Sequence, residues 1–341
     1  MYTSVDDTLF YARDKNDIDV VISGLQRAGM DLEEESDVAG FLGVHIDRRD
    51  DGSILLSQKG LTQRIIEALN ISHLPKKLTP ARPGCVLGSD KDGDPPDGTF
   101  NYASVVGMLG YLHANSRPDI SFAVAQAPCF THAPRRSHEK ALERIGQYLK
   151  GTLDKGLILR PEPFESVFKT DIYVDADFAG AWGHEDPLDS ACVKSRTGYV
   201  IEVMNCPVQW SSKLQSCVAT STMEAEYTAL SMALRVAIPF MDVCRYVASK
   251  FQLAKGSTLV TFKTTVHEDN MGALTLAKLE PGRSTPRSKF YAIKMHWFRS
   301  FLKPKEIELE YIESKEQKAD IFTKALSTAE FLRARKLTCG W

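Results

Sequence analysis

The chain has 341 residues, 43% hydrophobic and 25% charged, which excludes a disordered, collagen-like or disulfide-stapled protein and predicts about two domains. Lys and Arg number 42 against 44 Asp and Glu, so any affinity for nucleic acid must come from local patches. Seven cysteines, none in a C-x-x-C pair, and no secretory signal predict reduced thiols in an intracellular setting, cytoplasmic or nuclear, and argue against structural zinc. No stretch approaches the ~20 apolar residues of a membrane span, so the chain reads as soluble.

In chain order, residues 2–10 read as the second half of a hairpin whose first half is absent. A helix follows over about 17–29, with Ile18, Val21, Ile22 and Leu25 at helical spacing. Strands at 41–46 and 53–57 flank the turn Asp50-Asp51-Gly52, and a helix over 61–69 closes the unit. Residues 75 to about 98 are rich in Pro, Gly, Asp and Lys and read as a linker. Short helices are predicted over 102–111 and 118–127, and an amphipathic one over 137–151. The break at 151–165, which contains Pro161 and Pro163, marks a second boundary.

Beyond residue 167 strands are predicted at 168–175, 198–204 and 208–212. A long helix follows, opened by a capping box of Ser221 and Glu224. Then come a strand at 258–266, a short helix, a basic helix over 288–302, a strand at 307–312 and a last helix. Three strands followed by alternating helices and strands predict a mixed α/β sheet flanked by helices.

Four carboxylates lie at element ends, where a sheet can converge them. Asp175 closes a strand, Glu226 borders the buried stripe of the long helix, Asp269 follows the fourth strand, and Asp320 opens the last helix. Singly, each reads as a turn former, helix-dipole partner or N-cap. On one face they would repel unless divalent cations neutralised them. Such a cluster suits two Mg²⁺ ions about 4 Å apart, because Mg²⁺ prefers hard oxygen ligands.

Several motifs carry a resemblance: Tyr-Val-Asp175-Ala-Asp-Phe-Ala-Gly, Ser195-Arg-Thr-Gly-Tyr-Val-Ile, Pro207-Val-Gln-Trp-Ser-Ser-Lys, Ser221-Thr-Met-Glu-Ala-Glu226-Tyr and Ala-Asp320-Ile-Phe-Thr-Lys, in that order. The second half resembles the ribonuclease H domain of copia-type retrotransposon Pol polyproteins. Val106-Gly-Met-Leu-Gly-Tyr-Leu and Arg117-Pro-Asp-Ile-Ser-Phe-Ala-Val resemble that family's connection segment. Phe41-Leu-Gly-Val-His-Ile and Ile54-Leu-Leu-Ser-Gln resemble the end of its reverse transcriptase palm, and Val5-Asp6-Asp7 its catalytic hairpin.

The resemblance implies a partial palm over 1–74, a linker over 75–101, a helical connection over 102–165, an RNase H-like mixed sheet over 166–330 and a tail over 331–341. It places the hydrolytic and metal-binding quartet on Asp175, Glu226, Asp269 and Asp320, and a remnant polymerase metal pair on Asp6 and Asp7. It implies hydrolysis of RNA in RNA–DNA hybrids with two Mg²⁺ ions, for which Mn²⁺ should substitute, with no small-molecule cofactor and no membrane partner. The upstream palm carboxylate is missing, so DNA synthesis is not expected. The family usually reads Lys-His-Ile near Lys289, whereas Phe290 stands here in place of the His. The alternative is an inactive nucleic-acid-binding remnant of a decayed element.

Eight Lys or Arg face one acid, Glu280, between Leu276 and Lys305. Arg287, Lys289, Lys294 and Arg299 are the expected phosphate contacts. Arg135, Arg136, Lys140, Arg144 and Lys150 form a second, weaker basic patch.

Overall fold

The computed structural model describes residues 2–4, 7–12, 14–34, 40–164, 166–183, 189–251, 260–279 and 292–341. Both strands of the first hairpin are present: β1 (Tyr2–Ser4) and β2 (Asp7–Leu9) pair antiparallel, with Ser4 opposite Asp7. This corrects the half-hairpin expected from the sequence, because a two-residue connection is enough to join the strands of a hairpin. Helix α1 (Lys15–Arg27) is capped by Asp14, which accepts from the Asn16 amide at 2.9 Å. None of its residues is buried.

Strands β3 (Gly40–Phe41), β4 (Val44–Arg48) and β5 (Ile54–Ser57) form an antiparallel sheet, followed by α2 (Lys59–Ala68). Its fourth strand, β6 (Leu157–Leu159), comes from about a hundred residues downstream and pairs with β5. Between them lie α3 (Tyr102–Asn115), α4 (Ser121–Gln126) and α5 (Arg136–Gly151), with 3₁₀ turns around α4.

The larger sheet holds β7 (Val167–Asp177), β8 (Arg196–Val203), β9 (Cys206–Leu214), β10 (Thr261–Glu268) and β11 (Ile307–Tyr311), in the order β11-β10-β7-β8-β9. Strands β7, β8 and β9 run antiparallel, while β10 and β11 run parallel to β7. Met204 and Asn205 both have positive φ (48° and 64°) between β8 and β9, which suits the tight primed turn of a two-residue hairpin. The mixed sheet with flanking helices is the mixed α/β architecture expected from the sequence.

Each face of this sheet carries a helical layer. On one side Ile172, Val174, Ile201 and Val266 pack against Ala225, Tyr227, Leu230 and Leu234 of α6 (Thr222–Phe251) and Phe298 of α8 (Ala292–Leu302). Helix α6 is long and apolar enough to cross a membrane by length and composition, which corrects the expectation that no stretch came close. Its apolar residues are instead spent on the core. On the other side Val200, Ile321 and Phe322 share a core with Ile65, Leu109, Leu112, Leu142 and Ile145 of the upstream helices.

The last helix, α9 (Thr328–Cys339), has a capping box of Ser327 and Glu330 and a left-handed Gly340 at its end. Phe331 and Ala334 join the second core, so most of the expected tail is a packed helix. At the heart of that core Arg117 and Asp119 are fully buried as a pair at 2.8 Å. Tyr148 donates to Asp119 at 2.5 Å, and Arg117 reaches Thr152 Oγ1 at 2.8 Å.

Candidate metal centre

Parallel pairing of β7 and β10 sets His267 beside Tyr173, so two residues further on Asp269 comes out beside Asp175. Both stand at the same edge of the sheet. Glu226 enters from the first turns of α6, and Glu224 fixes that end of the helix by accepting from the amide and hydroxyl of Thr220, both at 2.8 Å. One carboxylate oxygen each from Asp175, Glu226 and Asp269 lie within 4.8 Å of one another.

Asp320 approaches from a 3₁₀ segment (Lys318–Phe322), not from the start of the last helix as expected. Buried Gln317 anchors that segment between the parallel strands: its amide donates to Val174 O at 2.9 Å and accepts from the Ala319 amide at 3.1 Å. Lys318 pairs with buried Glu202 at 2.7 Å. Gly198, opposite Asp175 in the β7–β8 ladder, leaves the room. A Cβ there would come within 2.6 Å of Thr323 Cγ2 and 2.9 Å of Ala319 O.

Four residues of the site escaped the sequence reading. Thr323 donates through Oγ1 to Asp175 Oδ2. Lys324 Nζ lies 2.8 Å from Asp320 Oδ1 and 3.7 Å from Asp175 Oδ2. Glu268, fully buried, sits behind the cluster with Oε1 accepting from the Asn270 amide at 3.0 Å. Ser314 Oγ donates to Asp269 Oδ2 at 2.7 Å.

Burial, then the neighbouring charges of Asp175, Glu268 and Asp269, push the Glu226 carboxyl up to about 11. Burial pushes Glu268 to about 8, with Asp269 and Asp175 adding to it. Asp320 rises to about 7 through burial and Asp175, and Asp269 is raised chiefly by burial. Burial alone would lower the Lys324 ammonium, but Asp175 and Asp320 hold it above its ordinary value. Glu226 Oε2 and Glu268 Oε2 are buried without a hydrogen-bond partner. Crowded, proton-retaining carboxylates with orphaned oxygens are the donor set a hard divalent cation satisfies. The residues fit such an ion.

Other expected sites fare differently. Asp6 lies outside the described residues, and Asp7 opens β2. Arg287 and Lys289 also lie outside them, and Lys294 is placed in α8. Arg299 is a correction: it is buried and donates to the Leu276 carbonyl, holding α8 to α7 (Met271–Lys278). The weaker patch is largely consumed as well. Arg136 pairs with Asp97 and Glu143, both at 2.7 Å, Arg144 donates to Thr79 at 2.8 Å, and Lys150 donates to the carbonyls of Ser72 and Leu74. These cations staple the segment 72–97 to α5.

No protein-family model matches the chain. It is 29% identical over 334 residues to the retrovirus-related Pol polyprotein from transposon RE1 of Arabidopsis thaliana, covering 97% of this chain and 21% of that protein. It is 28% identical over 341 residues to the corresponding polyprotein from transposon TNT 1-94 of Nicotiana tabacum, covering 98% of this chain and 24% of that one. The chain thus spans about a quarter or less of these two polyproteins. Among solved structures, LC11-RNase H1 in complex with an RNA/DNA hybrid is 17% identical, with a TM-score of 0.31, over 46% of this chain and 95% of that one. Along nearly its whole length this chain is similar in sequence to the Pol polyproteins of copia-type retrotransposons.

Proposed function

We propose that this chain hydrolyses the RNA strand of RNA–DNA hybrids, with Asp175, Glu226, Asp269 and Asp320 holding two Mg²⁺ ions. The observation that carries this reading is the convergence of Asp175, Glu226 and Asp269 within 4.8 Å at one sheet edge, with Asp320 beside them. Bound divalent cations would supply an activated water and charge neutralisation at the leaving oxygen. The chain's own part is to hold the carboxylates rigid: Thr323 fixes Asp175, Ser314 fixes Asp269, and Gln317 seats the segment that carries Asp320. Recognition of the hybrid would rest on duplex shape and 2′-hydroxyls, independent of base sequence. The setting would be intracellular, where such hybrids form.

The test is purified protein with an end-labelled RNA–DNA hybrid, in Mg²⁺, in Mn²⁺ or in EDTA. Cleavage should require the metal and disappear in Glu226→Gln and Asp269→Asn, with both variants folded. A reading without catalysis draws on one observation, the Lys324 ammonium already paired inside the cluster. Hybrid binding with no metal-dependent cleavage would favour it.

A further inference from the structure

Among the described residues, Lys324 is the cation paired inside the cluster, and it divides the site unevenly. Asp175, Glu226 and Asp269 present oxygens to one another within 4.8 Å, and Asp320 stands outside that group. Asp320 is instead ion-paired with Lys324 at 2.8 Å, although its Oδ1 accepts no hydrogen bond of good geometry, and the same ammonium lies 3.7 Å from Asp175 Oδ2. One half of the site is thus a set of mutually repelling carboxylates backed by the orphaned Glu226 Oε2. The other half, between Asp175 and Asp320, is bridged by a monovalent cation belonging to the chain.

The two halves should bind cations differently. An ion entering the first half relieves repulsion and satisfies a buried oxygen, and nothing must leave. An ion entering the second half must break the Lys324–Asp320 pair and bring two positive charges beside a third. The ammonium can move, because the Lys324 side chain is 43% exposed while the Asp175 side chain is 4% exposed. It needs an anion to move toward, and a substrate phosphate at the cluster is one.

We propose that Lys324 is a built-in counter-ion for the Asp175–Asp320 half of the site, which excludes a second divalent cation until a nucleic-acid phosphate draws the ammonium away. Lys324 is then a positioning residue, and this role rests on the metal-dependent reading above. Second-ion binding and phosphate binding become mutually reinforcing, each strengthening the other by the same factor.

The experiment is calorimetric titration of the full chain with Mn²⁺ alone, without nucleic acid, for wild type, Lys324→Met, Lys324→Gln and Lys324→Arg. Wild type should bind one ion, with a second far weaker. Met and Gln should tighten the second ion roughly tenfold or more, the scale of removing a charge repulsion at close range in a partly exposed site. Arg should keep the wild-type isotherm. Merely structural damage would loosen metal binding, so tightening is a readout that only the counter-ion role produces. In EDTA the neutral variants should melt below wild type, and Mn²⁺ should close that gap. Equal second-ion affinity in all four proteins, or weaker binding in Met and Gln, overturns the role of Lys324 alone. No Mn²⁺ bound by any of the four overturns the metal-dependent reading together with it.

Discussion

Gly198 lies directly across the β7–β8 ladder from Asp175, and its missing side chain is the space through which Thr323 reaches that carboxylate. The backbone there needs no unusual conformation, so the constraint is the close approach of the 3₁₀ segment.

Gly198→Ala should therefore separate two elements that the site needs together. The new Cβ would lie 2.6 Å from Thr323 Cγ2 and 2.8 Å from Phe322 Cβ, and a packed interior yields little to such overlap. A loss of about 1–3 kcal/mol is expected, read from the denaturant midpoint. Hybrid cleavage should fall further than stability, because Asp320 and Thr323 shift away from Asp175. Wild-type values for both would mean the segment has slack.

The carboxylates set a pH dependence in the metal-free protein. Unfolded, Glu226 and Asp320 ionise near 4.5 and 3.8, whereas folded they hold protons to about 11 and 7. Across that interval the native chain binds more protons than the unfolded one, so stability falls as pH rises. In EDTA the melting temperature should decline from about pH 5 to pH 8, at about 1.4 kcal/mol per pH unit for each proton retained. Mg²⁺ should flatten the decline by replacing the protons, and Glu226→Gln should make it shallower. A flat curve in EDTA would show that burial and neighbouring charge do not hold protons on these carboxylates in the native state.

Which parts of this site were readable depends on where each residue sits. Asp269 follows β10 and Glu226 lies in the first turns of α6, as alternation and capping mark out, whereas Asp175 does not close its strand as expected, because β7 runs on to Asp177. Glu268 was missed because beside Asp269 it looks like a second solvated acid, although strand alternation puts the two on opposite faces. Lys324 follows Asp320 by one helical turn, which was the available signal. The helix expected at Asp320 proved to be a 3₁₀ segment, shaped by Gln317 bonding across two strands. Strand β6 is three residues of Leu-Ile-Leu before a Pro-containing stretch, too short for any periodicity to show. Arg299 looked like surface because an arginine in a basic run usually is.

Burial of the Arg117–Asp119 pair makes each partner costly to remove. Side-chain exposures of 1% and 0% leave the survivor without water, so Arg117→Met should lose about 3–5 kcal/mol. Equilibrium denaturation measures this, and a loss below about 1 kcal/mol would mean that the Tyr148 hydroxyl satisfies Asp119 without the guanidinium.

Arg287, Lys289 and Lys294 remain the proposed phosphate contacts of the basic run. Replacing these three with Gln should reduce the salt slope of hybrid affinity by about 0.7–0.9 for each phosphate no longer neutralised. Arg299→Gln should leave that slope unchanged and lower the melting temperature, since it breaks the tie to Leu276. A smaller slope in Arg299→Gln would return that residue to the binding surface.

The second core has a consequence for how this protein can be divided. Val200, Ile321, Phe322, Phe331 and Ala334 bury themselves against helices that come before residue 152, and Trp341 donates to Gly156 O at 2.7 Å. A protein cut to begin at residue 166 would keep all four expected metal-binding carboxylates and bare one whole apolar face of the sheet. Such a face invites association and precipitation. The half that carries these carboxylates is not an exchangeable cassette, and a search for activity should start from the uncut chain.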